Sequence, residues 1–205
     1  IHQFRVNYKK LRAFLRMISP QNKPANKLSI SKKLKSCYHI AGLLRDLQLQ
    51  QQHFTETATK DPEKPLPYLN LLSEEINRLK TELSEIIATV PAAASEVKIN
   101  KKAPCKLPST KIRKYANEKL KRTYEMITAA HFTEQSLHTI RKHLKDLYYN
   151  MKKHKAVRQS VVSRYNGNQL QFNQLLDELG NFHDLCAGLA LLNSPRIKKL
   201  NKQQQ

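Results

Sequence analysis

The fold is decided by a stretch that occurs twice, HQFRVNYKKLR at positions 2–12 and HTIRKHLKDLY at positions 138–148. The two copies share His, Arg, Lys and Leu at equivalent positions, and Phe4 corresponds to the apolar Ile140. Apolar and basic residues recur every three or four positions, which is the period of an amphipathic helix. The stretch therefore predicts a helix with one apolar and one basic face, present twice in the chain.

A second motif follows each copy in the same order. It reads AGLLRD at positions 41–46 and LGNFHD at positions 179–184, so that both share the pattern G-x-x-[RH]-D. Two motifs repeated in the same order indicate an internal duplication. We therefore predict one composite domain with a first helical half at 1–90, a linker at 91–108, a second helical half at 109–193 and a basic tail at 194–205.

The composition favours helices throughout. The 205 residues are 40% hydrophobic and include only four glycines, so the chain can form a core and has few residues that disfavour helix. Prolines and turn residues divide it into six helical stretches, which we place at 1–18, 29–57, 68–90, 109–130, 133–155 and 169–193. The predicted fold class is all-α.

The charge points to the kind of partner. There are 37 Lys and Arg against 16 Asp and Glu, which gives a formal net charge of +21. Positions 61–96, around the third predicted helix, hold seven acidic residues against three basic ones, so the positive charge is concentrated elsewhere. Self-repulsion on this scale favours a polyanionic partner that neutralises it.

The basic residues of the repeated stretch lie in two rows, here called the stripes. The first contains His2, Arg5, Lys9, Arg12 and Arg16, and the second contains His138, Arg141, Lys145 and Lys152, with Tyr148 in the place of Arg12. Like charges four residues apart destabilise a helix by about 0.2–0.5 kcal/mol per pair. A single stripe is usually a solvated face, but its recurrence in both halves favours anion binding.

The second motif supplies glycine and aspartate. Gly42 and Gly180 each cost a helix about 1 kcal/mol relative to alanine, so we expect close contact between two helix backbones there. Asp46 and Asp184 have two interpretations. Each could accept a hydrogen bond from a stripe residue and orient it, or form an ordinary surface ion pair.

The repeated H-x-x-R-x-x-x-[RK] helix with a later G-x-x-[RH]-D motif resembles the CHAD family, the conserved-histidine α-helical domain. The resemblance covers both halves and implies two pseudo-symmetric helical bundles around a basic central cavity that binds inorganic polyphosphate. It implies ligand contacts from His2, Arg5, Lys9, Lys10 and Arg12, and from His138, Arg141 and Lys145. To these the predicted binding set adds Arg16, Lys142 and Lys152.

Two residues depart from the family pattern. Asp146 and Tyr148 stand where the pattern has basic residues, so we expect a weaker contribution from the second half. The basic residues at 109–130 are not assigned by either motif.

The sequence gives no support for catalysis. It contains no H-E-x-x-H, P-loop or G-x-G-x-x-G motif, and its acidic residues do not pair within the repeated motifs. We therefore predict a non-enzyme without metal or cofactor. Cys37, Cys105 and Cys186 share no metal-site spacing and are interpreted as reduced thiols of a cytoplasmic protein. No apolar run reaches the length of a membrane span. An association with polyphosphate granules is also expected.

Nucleic acid is the alternative partner, because its phosphates would explain the charge equally well. Recognition of bases normally requires aromatic side chains among the basic ones. Tyr148 is the only aromatic residue on the stripes, and the chain has no tryptophan. This favours inorganic polyphosphate, with the nucleic-acid backbone as second choice.

Overall fold

The computed structural model describes residues 1–19, 30–58, 66–89, 107–164 and 168–193. This part of the chain forms seven α-helices and no strand, which confirms the all-α prediction. The helices are α1 (His2–Ile18), α2 (Lys32–Ala58), α3 (Leu66–Thr89), α4 (Ser109–Thr128), α5 (Glu134–Met151), α6 (Lys155–Arg164) and α7 (Gln169–Leu192). Cys105, most of the predicted linker and the tail at 194–205 lie outside the described residues.

The fifth predicted helix is shorter in the structure, and it is followed by a helix, α6, that the sequence did not predict. The sequence predicted one helix over 133–155, but α5 ends at Met151, a turn follows, and α6 begins at Lys155. Asn150 closes the end of α5, because its backbone carbonyl accepts from both Lys153 and His154. The turn redirects the chain so that Val157 and Val161 of α6 are buried. Neither proline nor glycine marks this break, and the sequence therefore gave no signal for it.

Polar side chains fix where three of the helices begin. Thr133 and Ser136 form a reciprocal capping box at the start of α5. The Ser31 hydroxyl accepts from the Leu34 amide before α2, and the Asn168 side-chain oxygen accepts from the Gln171 amide before α7. Each bond satisfies one amide that the helix itself leaves without an acceptor.

The helices contribute to two compact units. The first contains Ile1–Arg5, α2, α3 and α7 from Asp184 onward, and the second contains α1 from Val6 onward, α4, α5, α6 and α7 up to His183. The predicted boundaries at 1–90 and 109–193 describe the sequence repeat and stay a prediction, as does its pseudo-symmetry.

The core of the first unit is the α2–α3 pair. Residues three or four positions apart on each helix are buried against the other helix, and Phe4 and Leu191 pack at the margin. The buried set is Cys37, Ile40, Ala41, Leu44, Leu47, Leu72, Ile76, Leu79 and Leu83. Burial raises the pKa of the Cys37 thiol, so this cysteine is a protonated core residue at neutral pH.

The core of the second unit is built around α5. Leu144 and Leu147 are fully buried, and α4 and α6 both pack against this helix and against each other. Helix α1 contributes Ala13 and Met17, which are also fully buried. The apolar faces of α1 and α5 thus lie in this core, and the basic residues project from the remaining faces.

Candidate functional site

The predicted ligands lie on α1, on α5 and in the turn after α5. His2, Lys10 and Lys152 are exposed, and the rest of the set is partly buried. The partly buried residues are Arg5, Lys9, Arg12, Arg16, His138, Arg141, Lys142 and Lys145. None of these side chains is withdrawn into the core, so each retains a surface that solvent or a ligand can reach.

Arg5 lies on Gly42 in the first unit. Its Nη1 atom is 2.9 Å from the position that a Cβ of residue 42 would occupy. The guanidinium carbon of Arg5 is also 5.7 Å from the centre of the Tyr38 ring, one turn earlier on α2. Nη1 is buried and has no hydrogen-bond acceptor among the described residues. The glycine therefore makes room for a guanidinium group.

Arg141 lies on Gly180 in the second unit in a similar way. Its Nη2 and Nε atoms are 3.6 and 3.9 Å from the position of an added Cβ, and Nε is buried without an acceptor in the described part of the chain. We expected a second helix backbone at both glycines, but an arginine side chain is nearest at each. The two sequence motifs thus contact each other through the same pair of residue types in each unit.

Asp46 and Asp184 are exposed and line an apolar cavity of about 420 Å³ in the first unit, between α2, α3 and the end of α7. Within the described residues, Asp184 forms no hydrogen bond or ion pair. The orienting role of the two aspartates therefore stays a prediction.

Positive charge is crowded around the second stripe. Burial lowers the pKa of Lys145, and the neighbouring charge of Arg141 lowers it further, while Asp177 opposes the shift. The rings of His138 and His183 lie 4.9 Å apart between centroids. Burial, then the charges of His183, Lys142 and Arg141, lower the pKa of His138. The part of each shift that comes from neighbouring positive charge would be offset by a bound anion.

Tyr148 holds two lysines of its own stripe. The Nζ atoms of Lys145 and Lys152 lie over its ring, 5.7 and 4.6 Å from the centroid. These are cation–π distances. The tyrosine that stands in place of a basic residue of the family pattern thus contacts two ammonium groups through its ring.

A groove of about 670 Å³ in the second unit brings a predicted ligand of α1 together with a residue of the second stripe. It places Lys10 of α1 near Lys152, and it is lined by Lys10, Leu11, Phe14, Tyr149, Asn150, Lys152, Lys153 and His154. The sequence did not assign Lys153 and His154, because neither follows the three- or four-residue spacing of the stripe. His154 stacks on Phe14 with a centroid distance of 6.0 Å, and burial lowers its pKa.

Asp146 is a buried carboxylate, only 4% exposed, that binds two cations. The Nη1 atom of Arg16 lies 2.9 and 3.1 Å from its two carboxylate oxygens. The Nζ atom of Lys119, on α4, lies 2.9 Å from Oδ2. Burial lowers the pKa of Lys119, and Asp146 counteracts this. The carboxylate therefore joins α1 and α4 to α5.

Asn150 makes a second connection between α1 and α5. Its side-chain amide donates to the Ala13 carbonyl at 3.1 Å and to the Asp146 carbonyl at 2.9 Å. Both acceptors are buried backbone groups, so the contact fixes the register between α1 and α5. In this register Lys10 and Lys152 line the same groove.

The comparison with known families agrees with the repeated motifs. The sequence profile of the CHAD domain matches residues 1–193. The chain belongs to the CHAD family. No curated protein and no solved structure gives a significant match.

The departures of this CHAD domain from the family pattern have structural roles. Asp146 neutralises Arg16 and Lys119, and Tyr148 gathers two lysines, so both substitutions position neighbouring cations. Arg16 is consequently engaged with Asp146, and its contact with a ligand stays a prediction. In the described part of the domain, no helix is long and apolar enough to cross a membrane. The same residues contain no group of three or more side chains suited to hold a metal ion.

Proposed function

We propose that this CHAD domain binds inorganic polyphosphate, without catalysis, through the basic residues of α1, α5 and the turn after α5. One observation carries the proposal. Arg5 and Arg141, equivalent residues of the repeat, each lie on a motif glycine and have a buried guanidinium nitrogen without an acceptor among the described residues. A guanidinium group with a buried N–H that has no acceptor is less stable than a fully hydrogen-bonded one. A phosphate that binds the exposed side of the group would stabilise its positive charge.

The crowding of cations supports the same ligand. Lys145 and Arg141 repel each other, and Lys142 and Arg141 disfavour protonation of His138. A single phosphate neutralises one or two charges, whereas a chain of phosphates neutralises a whole stripe. The ligand that fits is therefore a linear polyanion with closely spaced charges.

Tyr148 favours polyphosphate over nucleic acid. A nucleic-acid site needs aromatic faces on which bases stack. Two ammonium groups already lie over the ring of Tyr148, and stacking a base there would displace them. Polyphosphate has no bases and uses the ammonium groups directly.

The proposal that the domain only binds its ligand rests on the carboxylates. A general base must be able to accept a proton from the reacting group. Asp146, the buried carboxylate beside the stripes, is held by Arg16 and Lys119, so both of its oxygens accept hydrogen bonds already. Its role is to bind cations. A cytoplasmic location near polyphosphate granules follows from the proposed ligand.

A competition experiment tests the proposal. Labelled long-chain polyphosphate is bound to the domain at physiological salt and displaced with unlabelled polyphosphate, single-stranded RNA or duplex DNA. We expect polyphosphate to displace at the lowest phosphate concentration. Equal or better displacement by RNA would select the nucleic-acid alternative.

Arg5→Gln and Arg141→Gln are the informative variants in this assay. Each removes one charge-assisted contact, which corresponds to about 1.5–3 kcal/mol, or roughly a 10- to 150-fold loss of affinity. Arg78→Gln is the matched control, because Arg78 is an exposed arginine of α3 paired with Glu75 and Glu82. A loss in the control as large as in the two variants would contradict a site on the stripes.

A further inference from the structure

Helix α4 has basic residues that belong to neither stripe, on the face opposite to Lys119. Lys119 points inward to Asp146, whereas Arg113, Lys114 and Lys121 are exposed on the side of α4 that faces away from the core. They follow the helical period together with Thr110 and Asn117, which line the same groove. From Arg113 to Lys121 this row spans about 12 Å.

Arg164 completes a groove along this row. It lies at the end of α6, one turn after the buried Ser160 and Val161, and faces residues of α4 across the groove. The groove has a volume of about 520 Å³ and is lined by Thr110, Arg113, Lys114, Asn117, Glu118, Lys121 and Arg164. Four cations thus face one carboxylate.

These cations are poorly compensated. Among the described residues, Arg113, Lys114 and Arg164 form no hydrogen bond or ion pair, and Lys121 has only a long contact of 3.8 Å with Glu125. Like charges gathered in one groove raise the free energy of the fold unless an anion binds between them. The hydroxyl of Thr110 and the amide of Asn117 add donors suited to phosphate oxygens.

We propose that the α4–α6 groove is a second anion-binding site, separate from the stripes, which takes a segment of a phosphate chain. The choice of polyphosphate as its ligand rests on the proposed function, whereas the presence of an anion site is inferred from the cation cluster alone. Two sites on one domain would let a long chain bind at more than one place and would raise its affinity above that of a short chain. The exposed ring of Tyr124, one turn beyond Lys121, makes single-stranded RNA the competing occupant.

The test uses the double variant Arg113→Gln/Arg164→Gln, which removes one arginine from each side of the groove. The control is Arg122→Gln/Arg158→Gln, which removes one exposed arginine from each of the same two helices outside the groove. Binding of tripolyphosphate and of long-chain polyphosphate is measured by calorimetry over a range of salt concentrations, after circular dichroism has shown equal helix content.

For the groove variant we expect fewer tripolyphosphate sites per chain than for the control. We also expect the slope of log affinity for the long chain against log salt to become shallower by about 1.4, or 0.7 for each lost contact. A groove variant that matches its control would overturn the second site. So would a variant that loses RNA binding but keeps polyphosphate binding, because the ligand would then be nucleic acid.

The stripe variant Arg5→Gln/Arg141→Gln separates this proposal from the proposed function. If that variant binds polyphosphate like the wild type while the groove variant does not, the groove is the site and the stripes are not. If only the stripe variant loses affinity, the proposed function stands and the second site is rejected.

Discussion

At the scale of single residues, the two motif glycines differ in how closely an arginine approaches them. A Cβ at position 42 would lie 2.9 Å from Nη1 of Arg5, closer than van der Waals contact allows, whereas a Cβ at position 180 would lie 3.6 Å from Nη2 of Arg141. The first arginine must move to accept a methyl group, and the second need not. The two glycines therefore form a matched pair.

We predict that Gly180→Ala stabilises the protein by about 1 kcal/mol, the difference in helix propensity, and leaves polyphosphate affinity unchanged. Gly42→Ala should gain similar helix propensity but weaken polyphosphate binding, because Arg5 is displaced. Chemical denaturation and calorimetric titration of the two variants provide the measurements. Equal affinities would show that the position of Arg5 on Gly42 does not matter for binding.

His143 is a second residue with a specific consequence. It lies between α4 and α5, where its Nδ1 atom is 3.5 Å from the Thr123 hydroxyl. Burial, and then the charge of Lys119, lower its pKa to about 4, and Asp146 only partly opposes this. Between about pH 4 and pH 6.5, His143 is therefore neutral in the folded protein, whereas in the unfolded chain, with a histidine pKa near 6.5, it is protonated.

The sign of the pH dependence follows from proton binding. Between about pH 6.5 and pH 4 the unfolded state binds more protons, so the free energy of unfolding falls as the pH falls through this window. We expect His143→Gln to flatten the decrease by up to about 3 kcal/mol, measured by denaturation at several pH values. His138 and His154 also have lowered pKa values, so the free energy of unfolding of the variant should still fall with pH, but less steeply. An unchanged pH profile would rule out His143 as a major cause.

At the scale of helices, Asp146 determines how α1, α4 and α5 are joined. Asp146→Asn would keep the size of the side chain but leave Arg16 and Lys119 without their counter-charge. Removing one partner of a buried ion pair costs about 3–5 kcal/mol, and we expect the lower end because Arg16 is one-third exposed. Urea denaturation measures the loss. Glu82→Gln breaks an exposed pair with Arg78 and serves as the control, with little change expected.

The helical period accounts for what the sequence could predict. It placed α1, α5 and the stripes, because the spacing of Phe4, Tyr8 and Leu15 and of Ile140, Leu144 and Met151 records a buried face. The predicted end of the fifth helix was wrong and α6 was missed, because the turn between them contains neither proline nor glycine and is closed by backbone hydrogen bonds to the Asn150 carbonyl. Helix period alone cannot locate such a turn.

Contacts between helices also lay beyond the sequence. The motifs suggested that Gly42 and Gly180 need space, but only the folded chain identifies Arg5 and Arg141 as the side chains that fill it. From the sequence, Asp146 was expected only to weaken the contribution of the second half. Its partner Lys119 comes from a helix that the motifs do not cover, so its role as a junction required the structure.

At the scale of the whole molecule, the net charge of +21 gives salt two opposite effects. Salt screens the repulsion between cations, so the free chain should become more stable as salt is added. Salt also competes with polyphosphate for the same cations, so the additional stability conferred by the ligand should decrease. The melting temperatures with and without polyphosphate should therefore converge.

The size of this convergence can be predicted from the number of contacts. About six phosphate contacts with a slope of 0.7 each imply a loss of roughly two to three decades of affinity between 50 and 200 mM salt. Each decade of affinity removes about 1.4 kcal/mol of ligand-dependent stability when the ligand is in excess. Thermal melting at fixed polyphosphate over this salt range measures the difference. A ligand-dependent stabilisation that does not change with salt would mean that binding does not depend on the cations of the stripes, and a free chain that melts at lower temperature in added salt would contradict the role of self-repulsion.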